Sequence, residues 1–210
     1  MGTIREEKKR KTRKAIIEAA IRLFGSKGFE KTSIEELARE AGVGKGTIYT
    51  YFQTKSEIFF AFCEEQLEFI HQELVNNTDP DAPLIEQIMT VFMGEFLHVT
   101  SNKEFGRFFM QQTLFPDEQD KSRFAEVDNK WLELLFSIYQ RAQKRNELRS
   151  DIELLYLAGH FYALYILVVS SWYSGRIETE EVAPGMRLLF EQAIEGLAPV
   201  PTALSESMVN

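Results

Sequence analysis

The chain has 210 residues, 44% of them hydrophobic and 27% charged, a balance that excludes a disordered or fibrous protein and is long enough to bury a core. One cysteine, Cys63, excludes an internal disulfide and a site of several thiolates, and His71, His98 and His160 lie far apart with no metal-motif spacing. The net charge of −8 is unevenly spread: residues 1–60 carry 13 Lys and Arg against 8 Asp and Glu, and residues 61–210 carry 11 against 24, so the basic end is where an anion would be met.

Helix formers dominate and no stretch alternates as a strand would, which predicts an all-α fold of about nine helices. The N-terminus is basic and polar with no apolar run behind it, so no secretory signal is expected and the cytoplasm is the expected compartment. The run REEKKRKTRK (5–14) is basic enough to reach along a nucleic-acid backbone or into a minor groove; as a solvated helix start it would also be unremarkable in composition. The first helix is predicted from about Glu6 to Ser26, with Ile16, Ala19, Ala20, Leu23 and Phe24 at helical spacing and Gly25 with Gly28 closing it. Thr32 and Ser33 open a second helix, with Glu35 and Glu36 three residues on in a capping-box pattern, and Gly42 stops it. A short third helix covers about Lys45 to Thr50, and a long fourth runs from about Lys55 to Asn76. NNTDPDAP (76–83) is a bend or linker. Helices follow at about 84–100, 103–114, 120–146, 152–174 and 179–197, then a frayed tail after Pro199. Residues 155–173 (LYLAGHFYALYILVVSSWY) are 19 residues without a formal charge, the length of a membrane span. They include Gly159, His160, Ser170 and Ser171 and have no basic flank, so a helix buried on nearly all sides is predicted, and no membrane.

The stretch GVGKGTIYTYFQTKSE (42–57) carries the chemistry. A phosphate-binding loop of the GxxxxGK[ST] kind needs its Lys followed by Ser or Thr, between a strand and a helix. Here Lys45 is followed by Gly46, and the helix IEELAREA precedes it, which excludes that loop and a dinucleotide fold alike. A helix–turn–helix fits instead. Gly42 can take the positive φ that the tight turn needs. Ile48 and Phe52, four apart, can pack inward, which leaves Lys45 and Tyr49 on the outward side. Gly46, without a side chain, permits close approach of the backbone to a base-pair edge.

Residues 15–60, with A..LF...G, TSIEELA, AGV and KGTIYTYF followed by K.E, resemble the DNA-binding domain of the TetR family of transcriptional repressors. The close resemblance covers about a quarter of the chain; the remainder matches only in length, helix count and acidic, aromatic-rich character. It implies an N-terminal three-helix DNA-binding domain over 1–54, a ligand-binding and dimerisation domain over 55–198, and a flexible tail over 199–210. It implies further that Lys45, Gly46, Thr47, Tyr49 and Thr50 face the major groove. Tyr51 stands where the family most often has histidine, a backbone contact. Lys55, Thr32 and Ser33 would hold flanking phosphates, consistent with the free N–H groups of helix N-termini. Gly44 occupies a position often held by Ser, which puts one side-chain contact in doubt.

For the body of the chain the resemblance implies an internal cavity opening near the fourth and seventh helices, and Phe69, Phe92, Phe96, Phe108, Gln112, Trp131 and Tyr165 are the candidate contacts. Aromatics with few polar side chains suit a mainly apolar effector. Most of the same rings would equally serve as core. The last two helices carry more apolar surface than a monomer leaves in water, and in the family the corresponding pair forms a four-helix bundle with a second copy. The expected partners are therefore double-stranded operator DNA, a hydrophobic small molecule and a second subunit, with no cofactor and no catalytic or metal site. Two other classes compete: a DNA-binding regulator without a small-molecule ligand, and a helical enzyme, for which no nucleophile with a base is in evidence.

Overall fold

The computed structural model describes residues 4–198; the tail expected over 199–210 lies outside them. Nine α-helices and one 3-10 turn occur among the described residues: α1 Ile4–Lys27, α2 Ile34–Glu40, α3 Lys45–Tyr51, α4 Lys55–Asn77, α5 Leu84–Thr100, α6 Lys103–Leu114, the turn Glu118–Asp120, α7 Lys121–Lys144, α8 Leu154–Tyr173 and α9 Thr179–Leu197. The chain divides into two compact units, one of residues up to 68 with 97–128, the other of residues 69–96 with those from 129 on. The long helices α4, α5 and α7 each contribute to both units.

In the first unit α1 packs on α2 and α6, and α2 on α3. Its core is the α1 stripe Ile16, Ile17, Ala19, Ala20 and Phe24 with Leu37, Ala38, Ile48, Phe52 and the start of α4. Rings dominate it: Phe108 lies 5.3 Å from Phe59, 5.4 Å from Phe29 and 5.7 Å from Phe24, centre to centre. Phe24 and Phe59, the fully buried members, each contribute roughly 2–3 kcal/mol relative to exposure. Gly28, at φ 88°, ends α1 with its N–H on Phe24 O at 3.1 Å.

Gly25 does something other than close the helix. It sits inside α1, where a Cβ would come within 2.7 Å of Asn102 Oδ1 and 3.0 Å of Phe105 N. Asn102 is the N-cap of α6 and accepts from that same Phe105 N–H at 3.0 Å. The absent side chain is thus what lets α1 lie against the capped start of α6.

The second unit is built from α5, α7, α8 and α9 around Phe190, whose ring lies 5.2 Å from Phe92 and 5.4 Å from Phe161. Tyr139 stacks on Phe161 at 5.5 Å, and Tyr165 lies 5.3 Å from Phe92. The bend before α5 is tied down by side chains. Gln87 Nε2 donates to Ala82 O at 2.8 Å, Arg145 Nη2 donates to the same carbonyl at 3.1 Å, and Glu147 accepts from Leu84 N at 2.6 Å.

The apolar helix α8 departs from the sequence-based expectation of burial on nearly all sides. Only Leu157, Ala158, Phe161, Tyr165, Val168 and Val169 are buried, while Tyr156 is 69% and Leu167 50% exposed. Length and composition alone would let it cross a membrane. A helix needs only one apolar stripe to pack on its own unit, so the opposite stripe is available to something outside the chain.

Replacing Gly25 with alanine improves helix propensity by about 1 kcal/mol, yet it drives a methyl into the Asn102 cap. The collision and the loosened cap together exceed that gain, and we expect Gly25→Ala to lower stability by about 1–2 kcal/mol, read as a lower thermal midpoint. A variant as stable as the parent would mean that α1 and α6 can separate without cost.

Candidate nucleic-acid interface

The geometry begins at the α2 start. Ser33 caps α2: its Oγ accepts from Glu36 N at 3.3 Å, and Glu36 Oε2 accepts from Ser33 N at 2.9 Å. Lys27 also reaches Glu36, and this hydrogen bond, followed by those from Ser33, pulls the Glu36 carboxyl down to about 2. Gly42 takes φ 68° and Val43 N donates to Ala38 O at 2.9 Å, which closes the tight turn into α3.

Helix α3 has two sides. Ile48 and Phe52 are buried, and Lys45, Gly46, Tyr49 and Thr50 are exposed, with Thr47 and Tyr51 between the two conditions. The Thr50 hydroxyl donates to Gly46 O at 3.0 Å, and Gln53 Nε2 donates to Tyr49 O at 2.7 Å. Lys45 pairs with Glu35, which lowers the Glu35 carboxyl and raises the ammonium. Gly46 would meet nothing within 4 Å if it carried a Cβ, and Gly44 only Thr47 Oγ1 at 3.8 Å. Nothing among the described residues requires a glycine at 46.

The residues assigned by resemblance to flanking phosphates are already engaged. Thr32 is buried, and its hydroxyl donates to Gly28 O at 2.8 Å, so it holds the α1–α2 turn. Ser33 gives both its amide and its hydroxyl proton to Glu36 Oε2, at 2.9 Å each, and keeps no donor for an anion. Lys55 donates to Phe29 O at 2.7 Å and Glu30 O at 3.4 Å and lies over the Phe29 ring, 4.5 Å from its centre. The basic run 5–14 is helical and mostly exposed; Arg13 turns from it to pair with Glu65 over the Phe52 ring.

The residues assigned to a cavity are divided between the two units. Phe92, Trp131 and Tyr165 share the ring cluster of the second unit, with Phe96 packed on Trp172 at 5.1 Å. Phe69 belongs to the same unit and is exposed. Phe108 and Gln112 belong to the first unit, Phe108 inside its ring cluster. Sequence reasoning missed Glu95. It is 5% exposed, its Oε2 has no hydrogen-bond partner, and burial alone pushes its carboxyl up to about 8. The signal was available, because Glu95 stands at the apolar register of α5 between Ile88, Phe92 and Val99, all buried.

Residues 16–62 match the family described as bacterial regulatory proteins, tetR family. The HTH-type transcriptional regulator YerO of Bacillus subtilis is 30% identical over 115 residues, which span 53% of this chain but only 40% of that protein. SrpR of Pseudomonas putida, another HTH-type transcriptional regulator, is 25% identical over 153 residues, 73% of this chain and 71% of its own. Among solved structures, FadR of Bacillus subtilis in complex with stearoyl-CoA superposes with a TM-score of 0.74 at 18% identity, covering 88% of this chain and 98% of that one. FadR of Bacillus halodurans, a fatty acid degradation regulator, gives 0.67 at 21%, over 84% and 93%. Likeness at these identities is likeness of fold.

Glu95 sets a pH dependence. Its folded-state value of about 8 lies above the ordinary 4.5, so the folded protein keeps a proton that the unfolded chain gives up. Stability is highest below about 4.5 on this account, falls as pH rises toward about 8, and flattens beyond it. The Tyr165 hydroxyl nearby is raised as well, by burial first and by Glu95 second, and stays neutral throughout. We expect Glu95→Gln to melt higher than the parent at pH 8.5 and to lose that advantage at pH 4.5. Parallel melting curves at all pH values would place an unseen partner on the carboxyl.

Proposed function

Since the chain belongs to the TetR family of bacterial regulatory proteins, we propose that it is a transcriptional repressor that binds a palindromic operator as a homodimer and is released by a mainly apolar small molecule. The observation that carries DNA binding is Gly46. A glycine inside an exposed helix costs about 0.5–1 kcal/mol relative to alanine, and no atom of the described residues lies within 4 Å of where its Cβ would be. A partner from outside that needs the backbone at close range accounts for it. Lys45, Thr47, Tyr49 and Thr50 then meet base edges in the major groove and Tyr51 a phosphate, with Lys55 available to the backbone. Lys45 must leave Glu35 to do so, and phosphates compete with that carboxylate.

Dimerisation is supported by the exposed stripe of α8, Tyr156, Gly159, Ala163 and Leu167, with Leu188 of α9 exposed as well. Gly159 and Gly185 have open space where a Cβ would be, so close approach of another helix is possible there. Two α3 helices about 34–36 Å apart would address successive turns of a palindrome. The effector reading draws on the aromatic interior of the second unit and on the likeness in fold to FadR, whose structure holds stearoyl-CoA. Release requires that the effector favour one of two arrangements; α4, which contributes to both units, is the element to carry it.

The decisive variant is Gly46→Ala, measured on a duplex selected from a random pool. We expect it to be more stable by about 0.5–1 kcal/mol and to bind that duplex at least tenfold more weakly. Unchanged DNA affinity would remove Gly46 from the interface. For the dimer, Leu167→Glu should yield monomers by light scattering with little change in helix content. Val168 is buried in its own unit and would test the core instead. A stable Leu167→Glu dimer would move the interface off α8.

A further inference from the structure

Helix α3 begins at Lys45, the one charged side chain it carries, and α2 presents Glu35 to it across the Gly42 turn: the Lys45 ammonium donates to Glu35 Oε1. This hydrogen bond is the main cause that holds the Glu35 carboxyl below and the Lys45 ammonium above their ordinary values. The other acidic residues of α2 are turned to α1. Glu36 closes the Ser33 capping box and takes Lys27, and Glu40 takes Arg22. Glu35 is therefore the acid that α2 offers to α3, and both members of the pair are exposed.

A carboxylate is out of place on a surface that meets a polyanion. When Lys45 moves to a base edge, Glu35 is left unpaired beside phosphates, which disfavours every duplex that offers it no donor. One base pair serves both side chains. Guanine gives an ammonium two adjacent acceptors, N7 and O6, and the paired cytosine gives a carboxylate its N4 amino group, next along the same edge. An A·T pair places its N6 amino group between N7 and O4, so an ammonium finds one acceptor where guanine gives two. Its far end is the thymine methyl, which gives a carboxylate nothing.

Resting on the DNA-binding reading above, we propose that Glu35 is a specificity-determining residue: on the operator Lys45 leaves it for guanine, Glu35 turns to the N4 amino group of the paired cytosine, and the two side chains together read one G·C pair in each half-site. The ion pair of the free protein is exchanged for hydrogen bonds to both bases of that pair. Exposed pairs contribute little to stability, so the exchange loses little. On any other base pair Lys45 gains less and Glu35 keeps its repulsion, so one carboxylate both selects the operator and rejects other sequences.

The test is selection of duplexes from a random pool by the full-length parent, Glu35→Ala and Glu35→Gln. Affinities are then measured for the parent's selected duplex and for an unrelated one. The parent should enrich a G·C pair at one position of each half-site. Glu35→Ala should lose the preference at that position and keep the rest of the sequence. Glu35→Gln should shift it toward A·T, because an amide bonds adenine N6 and N7. Both variants should melt close to the parent and bind the unrelated duplex several-fold more tightly, and the ratio between the two duplexes should fall by about tenfold, the size of one lost base contact. A selected sequence unchanged in the variants, or an affinity that rises alike on both duplexes, would overturn the assignment and leave Glu35 a counter-ion of Lys45 in the free protein. Loss of preference at all positions together would overturn it as well, because Glu35 would then be holding α3 in place. Failure of the parent to select any sequence would overturn the DNA-binding reading itself.

Discussion

A helix of seven residues does not persist alone in water, because nucleation consumes most of what so few hydrogen bonds return. Helix α3 exists because Ile48 and Phe52, one turn apart, are buried against the rest of its unit. That burial fixes the rotation of α3 about its own axis, and the rotation decides everything displayed outward: Lys45, Gly46, Tyr49 and Thr50 are exposed because Ile48 is not. The tight turn before it, with Gly42 at φ 68°, sets the direction from which α3 leaves α2. The chemistry of the exposed face is thus inherited from an apolar contact on the other face.

Six of the described glycines separate into two kinds on the same physical ground. Gly25 is required by what this chain packs against it, and Gly28 and Gly42 by positive φ. Gly46, Gly159 and Gly185 have no such requirement: their φ values are not in the left-handed region and the space above them is empty. The first kind is explained inside the molecule. The second kind is explained by surfaces that come to it, DNA at α3 and a second subunit at α8 and α9 in the reading proposed here.

Electrostatically the first unit holds several of its basic residues in reserve. Lys45 is paired with Glu35, Lys27 with Glu36 and Arg22 with Glu40, all near the surface. Pairs so exposed contribute little to stability and are readily exchanged for another anion, so the acidic residues around α2 moderate affinity for a polyanion without abolishing it. In the interior the balance is reversed. Glu95 has no counter-charge, and there a single unpaired group weighs more than several surface pairs together.

The sequence by itself determined the order of the helices and their ends to within about two residues. Helices α5, α6 and α9 lie where periodicity places them, and the Ser33–Glu36 box opens α2, because spacing, caps and breakers act within one or two turns. It also determined the two-sided character of α3, since Ile48 and Phe52 are one turn apart. Tertiary structure alone decided the rest. Whether Thr32 and Lys55 face an anion or the carbonyls of the α1–α2 turn depends on where that turn folds back. Whether the rings form one lining or two clusters depends on helices distant in the chain, which assigned Phe108 to one unit and Phe92 to the other. Gly25 ended inside α1 because α6, some eighty residues later, needed room for its cap. Composition could show that α8 is apolar, but only packing could show which stripe of it is buried, because burial is a property of neighbours and the neighbours are not local in sequence.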